Sequence, residues 1–97
     1  MPIYVSLVNW TEQGVKNFRE TVDRYESSRD QFEQMGVRLK QVFWTVGEHD
    51  LVAVAEADDG ETMAAAMLML ASQGNVRTTT MRALSADEMR AVIAKTG

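Results

Sequence analysis

The sequence predicts an α+β fold of order βαββαβ plus a short C-terminal helix, with the four strands in one antiparallel sheet. Three observations predict it. Residues 3–10 and 51–56 carry apolar side chains on both faces, the pattern of strands covered on two sides. Two stretches with helical spacing separate strand-like segments. Gly47-Glu48-His49-Asp50 has about the length of a hairpin connection, which pairs the second and third strands antiparallel.

Each element has its own signals. After the first strand, Thr11 is placed to cap a helix, and Val15, Phe18, Val22, Tyr25, Phe32 and Met35 recur at spacings of three, four and seven, predicting one long amphipathic helix. Gly36 stands where a left-handed residue ends such a helix, and the β-branched and aromatic run 37–46 follows as the second strand. Asp58-Asp59-Gly60-Glu61 offers capping groups and early negative charge to a second helix with a stripe of Met63, Ala66, Met67 and Leu70. Gly74 stops it, and the Val and Thr content of residues 75–83 predicts the fourth strand. Ser85-Ala86-Asp87-Glu88 has capping-box spacing and opens a C-terminal helix with Met89, Val92 and Ile93 on one side.

This order is the ferredoxin-like arrangement, with both principal helices on one sheet face. Alternation along the strands suggests that Ile3, Val5 and Leu7 meet the helices. Tyr4, Ser6, Val8 and Trp10, with Val42 and Trp44, then form an apolar open face. Two such faces would meet as a dimeric α/β barrel, with Val8 and Val42 at the interface.

Composition narrows the functional classes. At 97 residues, 45% hydrophobic and 25% charged, the chain is one globular domain spanning residues 1–97. It has no cysteine, hence no disulfide or thiolate chemistry. The N-terminus lacks a basic stretch leading into an apolar run, and no segment approaches membrane-span length, so a cytoplasmic protein is expected, without membrane association. A net charge of −4, with basic and acidic residues interleaved, argues against nucleic-acid binding. A single histidine with no cysteine supplies too few ligands for a metal site, and no cofactor motif is present.

Asn9-Trp10-Thr11-Glu12-Gln13-Gly14, Trp44-Thr45-Val46-Gly47-Glu48-His49-Asp50 and Gly74-Asn75-Val76-Arg77-Thr78-Thr79-Thr80 together resemble the GYD domain family over almost the whole chain. The family's Gly, variable, Tyr and Asp signature falls on Gly47, Glu48, His49 and Asp50, with His49 in place of the tyrosine. The resemblance implies a dimeric α/β-barrel domain and no particular activity.

Candidate ligand contacts are Asn9, Trp10, Trp44, His49, Asp50, Arg77 and Thr79, with Gln13 and Asn75 nearby, since the proposed fold gathers them at strand ends. Each also has a structural reading. Asn9 and Thr11 can organise the strand-to-helix turn, Asp50 can accept hydrogen bonds in its own turn, and the tryptophans can pack at a subunit interface. His49 is the one side chain whose reference pKa lies near neutrality, or a solvent-facing hairpin residue. Arg77 and Arg82 flank a threonine run that could hold an anion, or are alternating strand charges. The expected function is a homo-oligomeric small-ligand or interaction module. The alternative is a cofactor-independent or haem-degrading monooxygenase-like enzyme of the same superfamily, in which Asn9, Trp44 and His49 would act together.

Overall fold

The computed structural model describes all 97 residues. Strand β1 (Ile3–Trp10) leads through a short helix α1 (Glu12–Lys16) and a 3-10 turn (Phe18–Glu20) into α2 (Thr21–Gln34). Then follow β2 (Val37–Trp44), β3 (Leu51–Ala57), α3 (Gly60–Ser72), β4 (Val76–Ala83) and α4 (Ala86–Ala94). The strands form one antiparallel sheet in the order β2-β3-β1-β4, the ferredoxin-like topology. The N-terminal strand is therefore central, and β2 and β4 are the edges.

Local chemistry explains the boundaries. The Thr11, Asp59 and Ser85 side chains each accept a backbone N–H at a helix start, and Ser85 with Glu88 completes a capping box. The bond from Thr62 also holds the Asp59 carboxyl below its ordinary range. Gly36 and Gly74 follow α2 and α3 with φ of 89° and 81°, a conformation that glycine adopts without strain.

The expected single helix is broken at Asn17. Its φ and ψ of −106° and 35° are not helical, and its side-chain amide donates to the Gln13 carbonyl. Arg24 then donates to the carbonyls of Asn17 and Gly14, satisfying acceptors that the break leaves free. The break re-aims the apolar stripe. Tyr25 and Phe32 turn toward the sheet with Ser28, whereas Val15, Phe18 and Val22 are exposed.

The strand faces are also opposite to the expectation. Tyr4, Ser6 and Val8 are buried under the helices, and the core cluster is Tyr4, Phe32, Val37, Ala55, Ala57, Met63 and Ala66. The alanines of β3 and α3 let helix and sheet approach closely enough to accommodate the tyrosine ring between them. Ser6 tolerates burial because its hydroxyl pairs with Thr80 Oγ1 at 2.8 Å. Val8, Val42 and Trp10 line an interior cleft, so they belong to the covered side and not to a dimer face. In β2 the register shifts between Leu39 and Gln41, a bulge at Lys40 that keeps Val37, Leu39, Val42 and Trp44 on the helix side.

The open face carries Ile3, Val5 and Leu7 beside Val52 and Val54, with Met81, Thr79 and Phe43 on the flanking strands. Only 12 of 97 residues are buried, so the single chain leaves this aliphatic surface without a cover.

Candidate functional site

The β2–β3 connection folds onto the end of β1 and is stitched there. Asp50 N–H donates to the Val8 carbonyl at 2.9 Å, and Asp50 Oδ2 accepts from the Trp10 N–H at 2.8 Å. Thr45 donates twice across the loop, from its N–H to the Asp50 carbonyl and from Oγ1 to the His49 carbonyl. Asn9 Nδ2 donates to the Glu48 carbonyl at 2.8 Å, and Asn9 Oδ1 lies 2.8 Å from His49 Nδ1. Gly47, with φ of 146°, lets the loop turn back.

This arrangement assigns the histidine tautomer. The amide of Asn9 is oriented by the bond from its nitrogen to a carbonyl, so its oxygen is the acceptor and His49 Nδ1 carries the hydrogen. Neutral His49 then keeps its lone pair on Nε2, which has no hydrogen-bond donor within the chain. Arg77 is directly opposite Asn9 in the β1–β4 pairing, while His49 comes from the β3 side. His49, Asn9 and Arg77 thus form a polar row across one end of the open face.

The other candidates lie apart. Thr79 is on the same face, opposite Leu7. Trp44 is on the helix side, where its indole N–H donates to Thr21 Oγ1 at 3.0 Å and its ring meets Tyr25 edge-on at 5.7 Å. Asn9 and His49 therefore meet, and Trp44 does not join them. Trp10 lines the interior cleft between α2, α3 and the sheet, with Arg24, Tyr25, Gln73 and Asn75. At about 90 Å³ this cleft is far smaller than the roughly 300 Å³ at which small-molecule pockets begin.

A second junction was only partly legible. Gln13 Nε2 donates to Asn75 Oδ1 and the Gln73 carbonyl, and Thr11 donates from N–H and Oγ1 to the Asn75 and Gly74 carbonyls. Gly14 sits so close that a Cβ there would lie 1.9 Å from the Asn75 carbonyl oxygen. Gln13-Gly14 and Gly74-Asn75 are separated by about sixty residues, and nothing local in the sequence joins them. Arg82 is engaged as well: it pairs with Glu88 at 2.9 Å, donates to the Ala83 carbonyl and lies over the Tyr4 ring. No group of three or more His, Asp or Glu side chains is placed to hold a metal ion, and no helix is long and apolar enough to cross a membrane.

Fold and geometry together define a small ferredoxin-like α+β domain with a stitched hairpin at one sheet end and an uncovered aliphatic face. The chain belongs to the GYD domain family, which matches residues 4–93. A protein of the bacterium Thermus thermophilus named glutamine synthetase and cystathionine beta-lyase binding protein is 35% identical over 85 residues, covering 87% of this chain and 90% of the relative. A crystal structure from the same bacterium aligns with a TM-score of 0.56 at 20% identity, over 89% of this chain and 96% of that one, and it supports the fold.

Proposed function

We propose that this chain is a protein-interaction module that self-associates through its open sheet face and binds metabolic enzymes. The observation that carries the reading is the 35% identical relative, whose name records binding to glutamine synthetase and cystathionine beta-lyase. The uncovered surface of Ile3, Val5, Leu7, Val52 and Val54 supplies the self-association, since an aliphatic patch of this kind is ordinarily an interface. The test is co-elution of the purified chain with glutamine synthetase and with cystathionine beta-lyase from its own genome. A complex with either supports the reading. A folded chain that binds neither at tens of micromolar removes these enzymes as partners.

The polar row favours a second reading, a site for a small organic anion. Arg77 has no ion-pair partner, and His49 Nε2 has no hydrogen-bond partner within the chain. Titration with small carboxylates and phosphate, followed through the imidazole nitrogens, should shift Nε2 before Nδ1. Unmoved signals at millimolar ligand would leave the row a purely structural clasp.

A further inference from the structure

We propose that α4 of a second copy seats in the groove between α3 and edge strand β4. The groove, of about 560 Å³, is lined on one side by Gly60, Ala64, Met67, Leu68 and Ala71 of α3, and on the other by Thr78, Thr80 and Arg82 of β4.

The helix side of this groove can take another helix. Gly60, Ala64, Leu68 and Ala71 recur at four, four and three, a second apolar stripe beside the one that packs on the sheet, to which Met67 belongs. A helix that is apolar nearly all round, with Glu61 its only charge, is a helix meant to be enclosed. Leu68 is nonetheless 73% exposed. Glycine and alanine along the stripe permit close approach of a second backbone.

The same chain carries a helix with the opposite deficit. In α4 no residue is buried, and Met89, Val92 and Ile93, at the spacing of one helical face, are exposed with Leu84 just before them. The helix fits within the groove's length: nine residues of α4 span about 14 Å, and the twelve of α3 from Gly60 to Ala71 about 18 Å.

The helix does not fill the groove of its own chain. The Ser85–Glu88 capping box and the Arg82–Glu88 ion pair fix its departure at the groove's end, and the molecule extends 51 Å along its long axis. An amphipathic helix whose apolar face is uncovered, held away from an apolar groove long enough to take it, is satisfied by exchange: each copy gives its α4 and receives the other's, a closed two-fold contact. This exchange does not rest on the sheet-face pairing.

The cysteine-free sequence makes the test clean. Tagged Leu68→Cys and untagged Val92→Cys chains are refolded together and oxidised mildly. The expected product is a disulfide-linked heterodimer, and a chain that also carries Ile93→Asp should lose it while its helix content by circular dichroism is unchanged. A chain carrying both cysteines that closes internally as a monomer would assign the groove to its own helix and overturn the exchange. No cross-link in either format also overturns it. Sheet-face pairing is read separately, from the mass of Leu7→Asp by light scattering, so the two ideas fail by different observations.

Discussion

At the scale of single residues, Gly14 is the least replaceable glycine in the chain. The carbonyl of Asn75 occupies the space where a side chain would begin, and the obstruction is backbone, which cannot turn aside as a rotamer can. Gly14→Ala should therefore cost about 2–3 kcal/mol in urea unfolding, the upper range for overpacking. A loss below about 0.5 kcal/mol would mean that α1 and the Asn75 turn separate easily. Asn9→Ala removes the amide that orients His49, and about 1–2 kcal/mol of stability with it. In the parent protein, nitrogen shifts should report His49 as the Nδ1–H tautomer, and the variant should give a mixture. An identical tautomer in both would show that the amide does not select it. Residue-level chemistry was partly legible in sequence: His49 and Asp50 fall in a turn signature, but the Asp50 carboxylate accepts from Trp10 and not within its own turn, and Asn9 bonds the hairpin about forty residues away instead of its own strand-to-helix turn. Gly14 was not, since its constraint comes from a carbonyl about sixty residues away.

At the scale of elements, α4 has a pH dependence of its own. The Glu88 carboxyl is held at about 2 from an ordinary 4.5, first by the Ser85 backbone N–H and then by Arg82. A carboxyl depressed in the folded state stabilises the fold fully above its unfolded value. That contribution fades as pH falls from 4.5 toward about 2. Amide-exchange protection over residues 86–94, taken relative to the intrinsic rate at each pH, should fall across this acid window in the parent protein and lack that step in Glu88→Gln, whereas equal acid responses would detach the carboxyl from helix stability. Both the capping box and the ends of α2 and α3 were readable from sequence, because Ser85, Glu88, Gly36 and Gly74 act on their immediate neighbours. The break at Asn17 was not. It depends on Arg24 reaching back to two carbonyls, and hydrophobic spacing alone runs straight through it.

At the scale of the whole molecule, the proposed self-association rests on the open sheet face. Leu7→Asp should weaken self-association by about 2–3 kcal/mol, roughly 30- to 150-fold, as a charge placed centrally in an apolar interface does. Light scattering across a dilution series reads this directly, and an unaltered mass would move the interface off the sheet. Topology and strand order were legible because apolar runs, glycines and caps fall in the right sequence. Which face the helices cover was not, since β1 is apolar on both sides and neighbouring strands arbitrate. The small alanines of β3 and the Ser6–Thr80 pair select the helix side, leaving the richer aliphatic set outside.

The central place of β1 has a consequence for how the chain is made. The first strand to leave the ribosome is bordered by β3 from residue 51 onward and by β4 from residue 76 onward. It must wait with both flanks bare until β3 has emerged and with one flank bare until β4 has, so the sheet closes late and through contacts distant in sequence. Arrest of translation near residue 74 would leave β1 with a bare flank, and nascent chains of that length should be far more open to protease and chaperone than the finished domain.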